Sequence, residues 1–373
     1  MVGGDGATLQ VTPGSSAADN QGRPMDLQTL DAIAPVAPEW DELATLVGAS
    51  PFLRPGWFEA WWRSFGRGRL RIVTLRRGGR LAGVAALARH WGTTLAAANV
   101  HSPEFEFLAE DLTAERALAE HVFEQRPLHT SLCYLPEGTR TTDELYRAAR
   151  DHRRRLLTVV MQSSPYLELD GDWDRFERGL SAKFVKDLRR RRRALEQAGR
   201  VSVEVADGTE GLDEAFRIEA SGWKDRRGTA ILSKPKTRRF YEDVAAWAAG
   251  RGYLRLAFLR LDGKPLAAQY ALEDGGRWYF LKGGVDPEAR RFAPGKLLVH
   301  AMLERAFGRG LTSFEFLGDA EPWKLDWQPE TRELLLQHSF PRTPLGVGWN
   351  SAVSAWRIVG LPLARRTLEW ARG

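Results

Sequence analysis

The residues most able to do chemistry follow one predicted strand–helix–strand unit, FLKGGVDPEARRFAPGKLLVHAMLERAFGRGLTSFEFLGDAEPWKLDWQ. Its second strand ends near Gly318, and Asp319 comes next. A carboxylate at this place could take the proton that an amine nucleophile must lose, or it could cap the following turn. Lys324 follows, with Trp323 and Trp327 close by. These two aromatic neighbours argue against a fully solvated ammonium group.

The helix of this unit starts at Pro294-Gly295. The first N–H groups of a helix have no partner within the helix, and together with the helix dipole they attract phosphate. Arg290, Arg291 and Lys296 add positive charge around the same turn. The helix start therefore predicts a binding site for the phosphate groups of a donor substrate.

A second basic element precedes it, the predicted helix KFVKDLRRRRRALEQ. Three- and four-residue spacing places several of its cations on one side. These cations are Lys183, Lys186, Arg190 and Arg193. The arginine run repels itself unless an anion binds it, and RNA phosphate is one such anion. The alternative is a solvated face, with Asp187 and Glu196 as local partners.

Further residues are predicted to line a substrate pocket. These are Gln269, Tyr270, Lys282, Trp323, Trp327 and Trp223. Strand alternation sends Gln269 and Tyr270 to opposite faces, so at most one of the two points inward. Trp223 precedes a polar loop that is either a lid over the acceptor or a plain connection.

The elements that position these residues occur twice. Each half reads as helices, an antiparallel meander, a helix and a strand, and LRRGGRLAGVAALA in the first half resembles LRLDGKPLAAQYAL in the second. We therefore predict an α/β (α+β) fold of two tandem units, each a mixed, mostly antiparallel sheet flanked by helices, with the ligand in the groove between them. The predicted segments are a disordered leader (1–25), the two units (26–165 and 166–340) and an amphipathic helical tail (341–373).

The amino-acid composition limits the kinds of partner, metal site and cellular location that we expect. The net charge of +6 favours polyanionic partners, although free use of arginine explains it equally well. The single cysteine, Cys133, excludes a disulfide framework and a cysteine-based zinc site, and the seven histidines show no metal-ligand spacing. We expect no metal. No apolar run reaches the roughly 18 residues of a membrane span, and no signal peptide is visible, so we expect a cytoplasmic protein.

Four segments together resemble the GNAT acyltransferases, in particular the FemAB-like and CelD-like types. They are LSAKFVKDLRRRRRALEQAGRVSVEV, LDGKPLAAQYAL, FLKGGVDPEARRFAPGKLL and FEFLGDAEPWKLDW. In the first half, SPFLRPGWFEAWWRSFG and NVHSPEFEFLAE are also similar to CelD-like sequences. The resemblance implies two GNAT-like domains and the transfer of an acyl group to an amine. It implies no tightly bound cofactor, with either aminoacyl-tRNA or acyl-CoA as the donor.

The resemblance also implies roles for particular residues. Lys324 matches a lysine that faces the reacting ester, where it stabilises an oxyanion or holds a phosphate. Pro294-Gly295 matches the turn that binds the pyrophosphate of coenzyme A, but the usual glycine-rich signature is reduced to RRFAPG. The leading interpretation is an aminoacyl-tRNA-dependent, amide-forming transferase. The alternatives are an acyl-CoA-dependent N-acyltransferase and a non-catalytic protein that binds RNA or another acidic partner.

Overall fold

The structure is a computed structural model that describes residues 25–221 and 230–343. Its described strands join in one sheet, with helices on both faces. The strands are β1 (Met25–Leu30), β2 (Arg69–Arg77), β3 (Arg80–His90), β4 (Thr93–Ala96), β5 (Leu108–Ala109), β6 (His129–Pro136), β7 (Arg155–Glu168), β8 (Val201–Ala206), β9 (Leu254–Leu261), β10 (Lys264–Asp274), β11 (Arg277–Val285), β12 (Ser313–Glu315) and β13 (Glu330–Phe340). The α-helices are α1 (Ala37–Leu46), α2 (Pro55–Phe65), α3 (Leu112–Glu124), α4 (Arg140–Asp151), α5 (Trp173–Gly179), α6 (Ala182–Ala198), α7 (Leu212–Ala220), α8 (Pro235–Gly250), α9 (Pro294–Gly308) and α10 (Pro322–Leu325).

Local sequence explains most of these boundaries. Four helices, α2, α8, α9 and α10, begin at a proline, whose fixed φ suits the first helical position and whose missing N–H is not needed there. The predicted hairpins between β2 and β3 and between β9 and β10 are present. Their turn residues, Gly78-Gly79 and Asp262-Gly263, all have positive φ, as tight hairpins require.

The order of the strands shows two related halves that exchange their last strand. The order is β1-β2-β3-β4-β6-β13-β7-β12-β11-β10-β9-β8, and β5 pairs with β3. Read from either end, a meander is followed by one strand in parallel pairing, β6 on β4 and β12 on β11. Next comes a long strand from the other half. Thus β13 of the second half lies between β6 and β7, and β7 of the first half lies between β13 and β12.

The exchanged strands were predicted only in part. The sequence indicates separate strands at 156–162 and 166–169, whereas β7 runs unbroken from Arg155 to Glu168. It does not predict β13, which pairs with β7 antiparallel from Glu330 to Phe340. The predicted division at 165/166 falls inside β7, because that strand completes the sheet of both halves.

The described residues form two hydrophobic cores. One core extends across both halves and includes Trp40, Trp57 and Tyr241, where α2 packs against α8. The other lies under α6 and α9 in the second half and includes Trp278 and Trp327. The aromatic residues around α2, with Phe52 and Trp57 at 1 % exposure, form part of the first core and not a stacking surface.

Two predicted segments lie almost wholly outside the described residues. These are the leader (1–25), of which only Met25 is described, and the tail (341–373), of which only residues 341–343 are described. Within 25–221 and 230–343, none of the helices combines the length and the apolar character needed to cross a membrane.

Candidate active site

A cleft opens in the sheet between β11 and β12. The two strands pair in parallel over three residues only, from Arg277 with Ser313 to Tyr279 with Glu315. Beyond Tyr279, β11 continues to Val285, and its register with β10 shifts between Tyr270 and Ala271. Such a bulge bends and twists a strand. The parallel strands therefore separate at one end and leave a space between them.

Aromatic side chains close one face of this cleft. Trp323 of α10 contacts Phe280 of β11, with ring centroids 6.0 Å apart, and Phe316 just after β12, at 6.1 Å. Its indole N–H donates a hydrogen bond of 3.0 Å to Glu321 Oε2. The ring of Trp323 is thus held between the two diverging strands, which gives the cleft an apolar wall.

Lys282 lies on the opposite face of the cleft, among residues from both halves. Its Nζ is 5.5 Å from the centre of the Tyr241 ring of α8. The hydroxyl of Tyr241 lies 3.3 Å from Nδ1 of His101, and the Tyr270 hydroxyl donates a hydrogen bond of 3.1 Å to the backbone oxygen of Tyr241. A loop of the first half and two elements of the second half therefore meet at Lys282.

Burial lowers the pKa values of two basic residues in this cluster. It lowers the pKa of the Lys282 ammonium, and Glu219 and Glu321 oppose the shift. Burial, together with the positive charges of Lys282 and Lys234, lowers the pKa of His101 to about 4. His101 is therefore neutral near pH 7, and more of Lys282 is neutral than of a solvated lysine.

A close contact between α7 and β11 fixes the position of Glu219 beside Lys282. A Cβ at Gly284 would lie 2.3 Å from the Cα of Glu219, so only glycine permits this approach. Glu219 Oε2 accepts a hydrogen bond of 2.8 Å from the backbone N–H of Ile231. Glu219, Lys282 and Ile231 line a narrow pocket on this face.

Lys324 is buried, at 5 % exposure, and it contacts the turn after β12. Its Nζ donates hydrogen bonds to the backbone oxygens of Leu317 (2.6 Å) and Asp319 (2.8 Å), and it lies 3.6 Å from Glu321 Oε2. A Cβ at Gly318 would be 3.2 Å from this Nζ, and Gly318 has a φ of +64°. The expectation that Lys324 is not fully solvated agrees with this geometry.

Asp319 is exposed at the same turn. Its Oδ1 accepts hydrogen bonds from the backbone N–H groups of Ala320 (3.1 Å) and Ser163 (3.4 Å). These contacts correspond to the turn-capping alternative that the sequence left open. They place the carboxylate of Asp319 beside β7, at the rim of the cleft.

The predicted phosphate-binding turn leads directly into α9. Ala293 precedes the helix in the left-handed conformation, with a φ of 49°, and Pro294 is the first helical residue. Of the predicted cations, Arg290 is exposed, and the guanidinium of Arg291 lies 4.6 Å from the Phe292 ring. Lys296 Nζ is 2.5 Å from Asp326 Oδ2, so this ammonium already has a carboxylate partner.

The arginine run on α6 divides into paired and unpaired cations. Ion pairs join Arg189 to Glu177 (2.6 Å), Arg190 and Arg191 to Asp187 (2.5 and 2.7 Å), and Arg192 to Glu196 (3.0 Å). In contrast, Lys183, Lys186 and Arg193 are exposed and make no ion pair with any residue that the structure describes. These three unpaired cations and Arg190 occupy one side of α6, which we name the basic stripe.

The helix that carries the basic stripe is next to the start of α9. Arg191 Nη1 donates a hydrogen bond of 2.7 Å to the backbone oxygen of Arg291. Phe184, in the first turn of α6, packs under the ammonium of Lys296, 5.3 Å from its ring centre. The two regions that the sequence predicted to bind phosphate are therefore neighbours.

The other predicted pocket residues separate. Tyr270 faces α7 and α8, whereas Gln269 faces the α9 side at 2 % exposure, as strand alternation predicts. Both amide atoms of Gln269 are without a hydrogen-bond partner among the described residues. Trp327 is a core residue at 0 % exposure, packed edge-on against Phe184, and Trp223 lies outside the described residues.

Sequence reasoning missed three residues of the Lys282 cluster. His101 is in the segment NVHSPEFEFLAE, which predicts only an irregular polar loop, and Glu219 and Glu321 were not singled out. Nothing in their local sequence distinguishes them, because tertiary packing alone brings them to Lys282.

Comparison with known proteins identifies the superfamily. Residues 182–325, which contain the cleft, α6 and α9, match the family model of the acetyltransferase (GNAT) domain. The chain therefore contains a GNAT acyltransferase domain. Two GNAT-like halves, expected from the sequence, are confirmed by the strand order. No curated protein matches the chain significantly.

Solved structures similar to this GNAT protein cover most of its length. One is that of FemX, with 13 % sequence identity and a TM-score of 0.57 over 84 % of this chain and 96 % of that one. Another is the C-terminal domain of a putative lysylphosphatidylglycerol synthetase from Agrobacterium fabrum, with 10 % identity and a TM-score of 0.53 over 87 % and 97 %. At this identity the similarity establishes the shared fold, and the FemAB-like prediction agrees with it.

Proposed function

We propose that this GNAT protein transfers an aminoacyl group from aminoacyl-tRNA to the amine of a small acceptor and so forms an amide bond. The observation that carries the proposal is the basic stripe, which lies on the helix that adjoins the turn at Pro294. Exposed cations that repel one another and have no carboxylate partner favour an extended polyanion over a compact one.

The turn before α9 supports the same choice of donor. Pro294 supplies no N–H at the first helical position, and Lys296 is paired with Asp326. The turn therefore offers few hydrogen-bond donors for a tightly held pyrophosphate. More of the negative charge of the donor substrate would be neutralised along α6. The similar fold of the C-terminal domain of a putative lysylphosphatidylglycerol synthetase, whose name indicates a lysyl product, agrees with aminoacyl transfer.

The cleft between β11 and β12 would receive the acyl carbon. The acceptor nitrogen attacks this carbon, an N–C bond forms, the C–O bond of the tRNA ester breaks, and the amine proton passes to the leaving oxygen by way of a base. In our proposal Lys282, whose pKa burial lowers, is that base. Lys324 shapes the end of the cleft and polarises the turn carbonyls, and Asp319 remains a second candidate base at the rim.

Acyl-CoA is the second candidate donor. It is favoured by the description of the matching family model, an acetyltransferase domain. Both reactions use the same cleft and the same attack on an acyl carbon, with a thioester C–S bond breaking in place of the ester C–O bond. Because both donors are cytoplasmic metabolites, we place the reaction in the cytoplasm.

The deciding experiment is a salt-dependent binding titration with labelled total tRNA and with acetyl-CoA as competitor. We expect tight, salt-sensitive tRNA binding that acetyl-CoA does not displace. Weak tRNA binding together with saturable binding of acetyl-CoA would overturn the proposed donor and support the second candidate.

A further inference from the structure

A second cavity adjoins the cleft where β11 and β12 are still paired. It is open to solvent, and its empty space of about 330 Å³ includes part of that solvent. Its walls come from both halves, since Phe52 and Glu104 belong to the first half, and Arg277 and Tyr279 belong to β11. Phe52 packs edge-on against Tyr279, with ring centroids 5.0 Å apart, and so helps to close one side.

The charged lining of this cavity is balanced in sign but incompletely paired. Two carboxylates, Glu104 and Glu315, face two guanidinium groups, Arg277 and Arg332. Arg332 Nη1 is 3.5 Å from Glu315 Oε2, a long contact. Neither Glu104 nor Arg277 has an oppositely charged atom within 4.0 Å among residues 25–221 and 230–343. We name this space the mixed-charge cavity.

Such an arrangement is costly unless something completes it. Charged groups removed from water are normally paired and hydrogen-bonded, because their desolvation is otherwise uncompensated. Glu315 is only 4 % exposed, and burial raises its pKa. Glu104 accepts a hydrogen bond from the Ser50 hydroxyl, which orients the carboxylate but leaves its charge unmatched. A ligand with charges of both signs would satisfy both ends of the cavity.

We propose that the mixed-charge cavity binds the acceptor and that this acceptor is amino-acid-like, with its ammonium group at Glu104 and Glu315 and its carboxylate at Arg277 and Arg332. The assignment of this ligand as the acceptor rests on the proposed function. The binding of such a ligand rests on the cavity alone.

The position of the cavity supports its use by the acceptor. Tyr279 is the last β11 residue paired with β12, and Leu317 follows β12, so both residues border the cavity and the cleft. The backbone oxygen of Leu317 is the group that receives the hydrogen bond from Lys324. A ligand in the cavity would therefore lie next to the cleft that we propose receives the acyl carbon.

The test is calorimetric titration of the donor-free protein with each of the proteinogenic L-amino acids. Every amino acid that binds is then compared with its decarboxylated amine and its N-acetyl derivative. We expect at least one amino acid to bind at least tenfold more tightly than either derivative. Equal binding of the amine, or no saturable binding of any amino acid, would overturn the inference.

Substitutions of the charged cavity residues test whether the amino acid binds in this cavity. Glu315→Gln and Arg332→Gln should each weaken the amino acid at least tenfold, and Arg332→Lys should recover part of the affinity. Glu204→Gln on the edge strand β8 is the control, because Glu204 is far from the cavity and pairs with Arg260. Unchanged affinity in both cavity variants, with intact circular dichroism, would also contradict the proposal.

The two proposals fail in different ways. If an amino acid binds but no donor acylates it, the cavity inference stands and the proposed function fails. If acyl transfer proceeds equally well to amines that lack a carboxylate, the proposed function stands and the cavity inference fails.

Discussion

The ammonium of Lys324 donates a 2.6 Å hydrogen bond to the backbone oxygen of Leu317, at the point where β12 turns away from β11. This contact ties α10 to the turn that follows β12. Because Lys324 also binds the backbone oxygen of Asp319, its side chain fixes the conformation of the whole turn.

Removal of this ammonium should destabilise the protein. Lys324→Met removes this donor from the buried carbonyl of Leu317 and from the carbonyl of Asp319, and we expect a loss of about 2–4 kcal/mol in the free energy of unfolding. Urea denaturation measures the loss. Lys264→Met is the control, since Lys264 is 60 % exposed and solvent screens its ion pair with Asp286. A Lys324 variant as stable as the control would show that the turn does not depend on the lysine.

Substitution of Lys282 should impair the chemical step and leave the folding of the protein unchanged. If neutral Lys282 accepts the amine proton, Lys282→Gln should lower kcat by about 10²–10⁴-fold, with little change in the KM for the donor. Because burial lowers the pKa of Lys282, the wild-type rate should rise with pH through an apparent pKa below that of a free lysine, and the variant should lose this rise. Lys236→Gln, on the exposed side of α8, provides the control. A pH–rate profile unchanged in Lys282→Gln would assign the base elsewhere.

The basic stripe predicts that cations on the same helix differ in how much they contribute to tRNA binding. Lys186→Glu and Arg193→Glu should each weaken tRNA binding about tenfold or more at moderate salt, and each should lower the slope of log affinity against log salt by about one. Arg192→Glu is the matched control, because Arg192 already pairs with Glu196 on the same helix. Filter-binding titrations at several salt concentrations measure the effect. Equal losses in all three variants would indicate a general charge effect instead of a binding stripe.

Glu106 should make the stability of the protein depend on pH. Burial and the neighbouring Glu104 raise its pKa to about 8, well above the value of about 4.5 in an unfolded chain. The folded state therefore binds a proton that the unfolded state releases between these two values, and this stabilisation is lost as the pH rises through 8. Relative to wild type, Glu106→Gln should become more stable from pH 5 to pH 8, by roughly 3–4 kcal/mol.

Thermal or urea unfolding of both proteins across this pH range tests the prediction. Glu137→Gln, at an exposed position of the following segment, should show no such change. If the difference between Glu106→Gln and wild type is the same at pH 5 and pH 8, the carboxyl group of Glu106 is ionised throughout.

Local signals in the sequence predicted most of the meander and the helix starts. The turn at Asp262-Gly263 and the proline at the start of α9 fix their elements through backbone geometry, which needs no distant partner. Strand β13 was missed for the opposite reason. Its three successive leucines, Leu334–Leu336, show no strand alternation, and its place depends on pairing with β7, as between Ser163 and Glu333, 170 residues apart.

The same distinction applies to the site. Lys282 was predicted because it is on a strand of the recognisable GNAT unit. The groups that lie near it, among them His101 and Glu219, come from other elements and have ordinary local sequences. Likewise, the charges of the mixed-charge cavity are distributed over both halves, so no segment of the sequence contains the pattern.

The exchange of β7 and β13 has a consequence during synthesis on the ribosome. Strand β7 is complete at Glu168, but β13, its partner along almost its whole length, is complete only at Phe340. At 5–20 residues per second, roughly ten to thirty seconds separate the two events. In that interval β7 is an unpaired apolar edge that includes Val159 and Val160, the kind of surface that recruits other chains. Productive folding of the nascent chain therefore depends on protection of this one strand until translation of the second half is nearly finished.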